Sequence, residues 1–283
     1  MLKVFKDAFK ISFDNLILFT PPLLFMMLVL LYFGTAEKYM DNPITMVISG
    51  IVLLVATSIF MAGWFYMIMC AIFNFKNKIV YEKSSDTFTL LKQFIVGMGD
   101  YFKPCLGFST LALILFNLVL FASYYISFAL FGSSGVFLAD FIKDFSSFAA
   151  FQSFLEDLTI NQLLIVYGWS AIFSVAMFVY SLFTLFWPAE IFYNTKNVLK
   201  ALRNSVKILI KKPQIIGLFF IIIILNNILM MFNILSLMNP IAILFMTLVY
   251  VYFIVYVFVL LFLYYEQKIQ SNSNSSADGN RKK

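Results

Sequence analysis

Six long apolar stretches, separated by short polar segments, organise the 283 residues of this chain. About 20 consecutive apolar residues in a helix cross the ~30 Å hydrocarbon core of a bilayer. The stretches, none of which contains Asp, Glu, Lys or Arg, are residues 16–33, 44–73, 105–131, 163–187, 215–235 and 241–264. The pattern predicts an all-α polytopic membrane protein with six transmembrane helices. We expect one transmembrane domain, residues 1–268, and a disordered cytosolic tail, residues 269–283.

Composition agrees with an integral membrane protein. Apolar residues make up 62% of the chain and charged residues 12%, whereas a soluble domain has about 25% charged residues. A cleavable signal peptide is the alternative for the first stretch, because Gly34-Thr35-Ala36 resembles a cleavage site. Its length and the early Pro21 and Pro22 favour a membrane-spanning helix, in whose first turn these prolines are tolerated.

The basic residues alternate between successive connecting segments. Eighteen of the twenty lie in the N-terminus, the 74–104 and 188–214 loops and the tail, whereas the other three loops hold two. Cytosolic loops of membrane proteins are enriched in Lys and Arg. The alternation therefore predicts a multi-pass protein of the inner (cell) membrane with its N-terminus and C-terminus in the cytosol.

The most basic connecting segment, residues 187–213, has the pattern of an amphipathic helix. Five of its six basic residues are spaced three or four apart: Lys196, Lys200, Arg203, Lys207 and Lys211. The opposite side is mostly apolar, with Val198, Ala201, Leu202, Ser205, Ile208 and Leu209. Such a helix typically lies along a membrane surface. We expect the five basic residues to contact anionic lipid headgroups, and we disfavour nucleic acid as a partner because the segment joins two spans.

Two other segments have amphipathic patterns and also precede a span. In the N-terminal helix the apolar face consists of Leu2, Phe5, Phe9, Ser12, Phe13 and Leu16. Before the third span it consists of Leu91, Phe94, Met98 and Phe102, with Ser85 or Asp86 as the N-cap. Three copies of a surface helix followed by a hairpin of two spans would account for the chain. Gene triplication and the physics of membrane re-entry both explain this repeat.

The predicted outer loop contains a further helical pattern, in residues 136–158. Phe137, Phe141, Phe145, Phe148, Phe151 and Leu155 recur at helical spacing there. We expect an interfacial helix on the outer leaflet. The alternative is a lid over a cavity or a docking surface for a partner.

The sequence lacks histidine and the common catalytic motifs. The chain has no histidine, which is the commonest general base and metal ligand. Cys70 and Cys105 lie at span ends, and we expect free thiols and no disulfide. No nucleotide-binding, hydrolase or metalloprotease motif occurs. We therefore expect a protein that is not an enzyme and has no catalytic, metal-binding or cofactor-binding residues.

Amides and small residues are the main polar features of the spans. Asn117, Asn226 and Asn227 are expected to form hydrogen bonds between helices. Alternatively they line a polar path through spans three and five, together with Ser123, Tyr124 and Glu190. Glu190 could bind a cation or a proton, but pairing with Lys196 or Lys200 is expected more often. Gly50, Gly63 and Gly168, the last with Ser170, predict close helix packing.

Three stretches carry a resemblance to known proteins: LKVFKDAFKISFDNLILFTPPL, PAEIFYNTKNVLKALRNSVKILIKKP and LLFLYYEQK. They resemble poorly characterised bacterial six-span membrane proteins, namely the DUF975-like families and the membrane domain attached to some glycerophosphodiester phosphodiesterases. Ala201, Leu202 and Ser205 match an A-L-x-x-S pattern of such proteins. The resemblance implies the six-span topology and no catalytic residue, because the phosphodiesterase chemistry belongs to a separate soluble domain.

The leading functional hypothesis is therefore a non-enzymatic integral membrane protein of the bacterial cell envelope that organises, or helps move, lipids or envelope components. A small-molecule or lipophile transporter, with a polar path through spans three and five, is the alternative. The sequence indicates membrane lipids as partners and leaves a protein partner or an oligomer undefined.

Overall fold

The computed structural model describes residues 2–36, 42–77, 83–133, 159–236 and 240–270, and these ranges contain helices and no strand. The helices are α1 (Leu2–Asp14), α2 (Thr20–Ala36), α3 (Pro43–Lys76), α4 (Lys83–Phe131), α5 (Ile160–Thr184), α6 (Trp187–Tyr193), α7 (Val198–Lys211), α8 (Gln214–Ser236) and α9 (Pro240–Tyr264). A 3₁₀ turn, Leu16–Phe19, precedes α2, and a π-helical turn, Tyr265–Gln270, follows α9. Six helices are long and apolar enough to cross a membrane, which confirms the predicted fold class.

Local signals explain several helix ends. Pro21 and Pro22 lie in the first turn of α2, as predicted, where their missing N–H groups cost least. Asn42 caps α3, because its side chain accepts a hydrogen bond of 2.9 Å from the Ile44 N–H. Gly132 ends α4 with a φ of 70°, which a residue with a Cβ rarely adopts.

Helix α4 differs from the expectation of a separate surface helix before the third span. It runs without interruption through 49 residues, about 74 Å, and contains Pro104 in its interior. It begins at Lys83, before the predicted cap residues Ser85 and Asp86, whose side chains lie outside the described part. Asp100 and Lys103 lie just before Pro104, and the helix nevertheless continues through the proline into the apolar residues that follow it. The other two predicted surface helices are separate, as α1 and α7.

The chain divides into two compact units, residues 1–110 with 183–283, and residues 111–182. In the second unit, the end of α4 and most of α5 form a hairpin. The Tyr180 hydroxyl donates to the Ala112 carbonyl at 3.0 Å, and Gly168 faces the Phe131 ring. The predicted outer helix, residues 136–158, lies outside the described residues, as does the predicted tail beyond residue 270.

Buried side chains of the first unit concentrate at one end, which we call the basic end. It consists of α1, the second half of α3, α6 with the preceding Phe186, α7, and the last turns of α9 with the π-helical turn that follows. Its largest fully buried side chains include Phe65, Phe186, Trp187, Phe262 and Tyr265. By contrast, the first turns of α3 expose large apolar residues. Stable packing therefore lies where the predicted cytosolic loops meet the spans, and the opposite ends expose the apolar surface that a bilayer would cover.

Glycines allow α3 and α4 to cross closely at the basic end. A Cβ at Gly63 would lie 2.6 Å from the Phe94 ring, and one at Gly97 would lie 2.5 Å from the Tyr66 Cβ. The predicted packing role is confirmed for Gly63 and Gly168. It is wrong for Gly50, where a Cβ would meet nothing within 4 Å.

Candidate functional site: a membrane-surface layer and an apolar groove

Helix α7 has three faces. Ala201, Ser205 and Leu209, at intervals of four residues, are buried against the protein. The basic side chains of the helix are exposed: Lys200, Arg203, Lys207 and Lys211. Beside them lies an apolar strip, where Leu199 is 67% and Ile210 is 74% exposed. The predicted amphipathic helix is confirmed, and the exposed apolar strip is an additional feature typical of helices at the boundary of headgroups and hydrocarbon.

Hydrogen bonds fix α7 against its neighbours. Asn197 caps the helix, since its side chain accepts from the Lys200 N–H at 3.0 Å. The Ser205 hydroxyl donates to the Phe183 carbonyl, and the Trp187 indole N–H donates to the Val198 carbonyl, both at 2.9 Å. The cationic face is therefore held in one orientation by the protein.

Lys196 differs from the other four basic residues because its ammonium group contacts the protein. Pro104 has no N–H and cannot donate to the Asp100 carbonyl four residues earlier. Lys196 Nζ donates to that carbonyl at 3.2 Å and lies 4.6 Å from the centre of the Tyr101 ring. The Tyr101 ring in turn stacks on Phe192 at 4.3 Å. Lys196 thus links the segment before α7 to the proline in α4.

Helix α1 also divides its surface into buried and exposed apolar parts. Val4, Ala8 and Ile11 are buried, with Ser12, whereas the predicted apolar face leaves Leu2, Phe9, Phe13 and Leu16 exposed. The Phe9 ring meets the edges of Tyr252 and Tyr256 on α9, with centroids 6.4 Å apart in both pairs. Hydropathy identifies apolar residues but does not distinguish those that contact protein from those that face lipid.

Glu190 lies in a buried polar cluster at the basic end. Its side chain is only 2% exposed, on the short helix α6. One carboxylate oxygen accepts hydrogen bonds from the amides of Asn194 at 3.2 Å and Asn204 at 3.4 Å. The Asn194 amide also donates to the Tyr265 hydroxyl. We call these four residues the Glu190 cluster. It joins α6, α7 and the turn after α9.

The expected pairing of Glu190 with Lys196 or Lys200 is wrong, because Glu190 forms no ion pair with any described residue. Lys196 is directed to α4, and Lys200 lies on the exposed face of α7. An ion pair elsewhere at this end joins Lys76 to Glu266, at 3.0 Å. Amide donors replace cations around Glu190 because the carboxylate is on the buried side of the segment and the lysines are on the other.

An apolar groove of about 580 Å³ lies between α2, α3 and the first half of α4. Seven lining residues come from α2, between Thr20 and Tyr32, five from α3, between Val52 and Phe60, and three from α4. Thr20 and Tyr32 are the lining residues that carry a hydroxyl, and they are the first and last of the α2 set. The long wall between them is apolar throughout.

The proposed polar-path residues do not line this groove. Asn226 Oδ1 accepts from the Tyr250 hydroxyl at 3.3 Å, which is an interhelical hydrogen bond of the expected kind. The Asn117 amide donates to the Leu113 carbonyl of its own helix at 2.8 Å, and Asn227 is exposed. The polar path therefore stays a prediction.

Both cysteines are free, as expected, with Cys105 buried and Cys70 half-buried. Tyr265 lies 75 residues from Glu190, so no local sequence pattern indicates it as a partner. Asn194 and Asn204 were within reach of sequence reasoning, because both lie near Glu190 in the same connecting segment. The groove could not be predicted in this way, because its three walls come from separate helices.

Comparisons with protein-family models, with curated proteins and with solved structures found no match.

Proposed function

We propose that this chain is a non-enzymatic integral membrane protein of the cell envelope that binds anionic lipid headgroups at its basic end and organises, or helps move, lipids or envelope components. The observation that carries the proposal is the exposed face of α7, where a row of cations lies beside an apolar strip. We place this face on the cytosolic side of the inner membrane, following the distribution of Lys and Arg between loops.

The energetics favour a lipid surface over a soluble polyanion. Each Lys or Arg near an anionic membrane contributes about 1 kcal/mol of attraction, and α7 exposes four. Leu199 and Ile210 would remain in water if the partner were soluble, whereas a bilayer covers them. Exposed Phe9 and Phe13 on α1 add apolar surface of the same kind.

Lipid retention tests the headgroup site directly. The full chain is reconstituted in bilayers of phosphatidylcholine and phosphatidylglycerol and partly delipidated, and the retained lipids are quantified by mass spectrometry. Replacing Lys200, Arg203, Lys207 and Lys211 together by Gln should abolish phosphatidylglycerol enrichment. Gln at Lys268, Arg281, Lys282 and Lys283, which removes the same charge from the C-terminal segment, should leave it unchanged. Equal enrichment in both variants would contradict the proposal.

A second measurement separates organising lipids from moving them. In vesicles carrying a fluorescent lipid in both leaflets, an external reductant bleaches only the outer leaflet unless lipids exchange. If the wild-type protein allows bleaching beyond that leaflet and the α7 variant does not, the protein moves lipids between leaflets. Bleaching confined to the outer leaflet would assign an organising role.

A further inference from the structure

We infer that the apolar groove between α2, α3 and α4 is a binding site for one acyl chain of a membrane phospholipid. The site rests on the proposed lipid-binding function and gives it a second element, distinct from the cationic face of α7.

The groove suits hydrocarbon by its lining. No lining residue is charged, and the hydroxyls of Thr20 and Tyr32 belong to the two ends of the α2 wall. Water in such a space would lack hydrogen-bond partners along most of its length. Exposed apolar side chains, among them Leu24, Leu28 and Val52, border it. The space is therefore continuous with the surface that faces lipid.

The length of the groove matches one leaflet. From Thr20 to Tyr32 the α2 wall advances twelve residues, about 18 Å along the helix axis. Half of a ~30 Å hydrocarbon core is about 15 Å. A chain that enters at the Thr20 end can thus extend along the wall without reaching the far side of the bilayer.

Charge favours entry at the Thr20 end. Helix α1, which contains Lys3, Lys6 and Lys10, comes immediately before this end of α2. On α4, the exposed Lys92 follows the lining residue Leu91. Cations attract the phosphate of a phospholipid, so their occurrence before Thr20 in the chain and beside Leu91 on the α4 wall favours a headgroup at this end. No charged residue occurs in α2 itself, up to Ala36.

The groove is also bounded by fixed walls. Phe25 and Phe60, which both line it, stack with ring centroids 4.3 Å apart. Phe94 lies against Gly63, so its ring reaches the backbone of α3. Packed aromatic walls give the site a defined width, whereas an open lipid-facing surface does not restrict the width of what it contacts.

The test uses the full chain in phosphatidylcholine vesicles that contain increasing fractions of a phosphatidylcholine with a photoreactive acyl chain. Crosslinked residues are mapped by peptide mass spectrometry. We expect labelling at groove residues such as Leu28 and Ala56 to saturate at a low probe fraction. Labelling at Leu130, an exposed apolar residue outside the groove, should rise in proportion to the probe. Proportional labelling at both places, or no labelling in the groove, would overturn the inference.

Two variants make the site assignment specific. Ala56→Trp fills the groove and should lower the saturable labelling at Leu28 about tenfold. Val47→Trp, at an exposed position of α3 outside the groove, should leave it unchanged. If Ala56→Trp fails to fold, Leu53→Trp, with labelling read at Leu28, tests the same point. Unchanged labelling in a folded groove variant would contradict the site.

The same experiment separates this inference from the headgroup proposal. Neutralising the four exposed cations of α7 should remove phosphatidylglycerol enrichment and leave saturable groove labelling intact. Loss of saturable labelling with intact enrichment would overturn the groove alone. Loss of enrichment in the wild type with intact labelling would overturn the headgroup proposal alone.

Discussion

At the scale of single residues, Glu190 shows how a buried carboxylate is kept without a cation. A carboxylate removed from water is costly unless donors surround it. Asn194 and Asn204 direct amide N–H groups to one oxygen, and the Tyr265 hydroxyl completes the cluster. The amide donors come from the connecting segment and from α7, and the Tyr265 hydroxyl, in the turn after α9, accepts from Asn194. One side chain therefore ties the cationic helix to the C-terminal end of the spans.

Replacing Glu190 by Gln should destabilise the basic end. The substitution removes the charge and turns one oxygen into a donor that faces other donors. Hydrogen bonds to charged groups contribute about 1.5–3 kcal/mol, so we expect a loss of that order in the free energy of unfolding. The thermal unfolding midpoint in detergent measures it.

The matched control is Glu266→Gln, which removes the same charge from the pair with Lys76. That pair is partly exposed, at 36% and 18% for the two side chains, and it should contribute less than about 1 kcal/mol. Equal midpoints for wild type and Glu190→Gln would show that the cluster is not stabilising.

Replacing Gly97 should destabilise the crossing of α3 and α4. A Cβ there would lie 2.5 Å from the Tyr66 Cβ and 2.8 Å from the Ala62 carbonyl oxygen. Overpacking of this kind costs about 1–3 kcal/mol, so Gly97→Ala should lower the unfolding midpoint. Gly99→Ala, two residues along the same helix with nothing within 4 Å, should be neutral or stabilising by up to about 1 kcal/mol. A Gly97→Ala midpoint as high as that of Gly99→Ala would contradict the close crossing.

At the scale of elements, Pro104 and Lys196 form a coupled pair. The proline leaves the Asp100 carbonyl without its helical donor, and Lys196 supplies one. Lys196→Gln should therefore destabilise the wild type modestly, by up to about 1 kcal/mol, because the side chain is exposed. With Pro104→Ala, which restores the backbone N–H, the same change should cost less. A double-mutant cycle of unfolding midpoints measures the coupling, and strict additivity would argue against it.

Sequence patterns predicted the helices better than they predicted which helix faces pack together. Each of the six spans, the amphipathic α7 and the tolerated prolines of α2 followed from apolar length and charge spacing. The continuity of α4 did not, because a charged segment and Pro104 lie between its two halves, and the sequence does not show that the helix continues through them. The buried face of α1 was also missed, since Val4 and Ala8 are no more apolar than the exposed Phe9 and Phe13. In a membrane protein both faces are apolar, so hydropathy loses its power to identify the core.

At the scale of the whole molecule, the Glu190 cluster and the groove depend on residues far apart in the chain. Glu190 and Tyr265 meet only when the turn after α9 packs on α6, and the groove needs α2, α3 and α4 together. The residue pattern within a single segment does not indicate these contacts between distant segments. The basic residues, by contrast, act through their distribution among loops, which the sequence alone displays.

That distribution makes a prediction for the entire chain. Reporters that are active on only one side of the membrane, placed at Glu37, Lys83, Asp144, Lys200 and the C-terminal segment, should report outside, inside, outside, inside and inside. The reason is that eighteen of twenty Lys and Arg residues lie in the segments assigned to the cytosol. A cytosolic signal at Asp144 would contradict the six-span topology. Moving Lys and Arg from the 188–214 loop to the 236–240 loop should weaken the orientation of the last hairpin, while placing Asp and Glu in the 236–240 loop should not, because acidic residues contribute little to orientation.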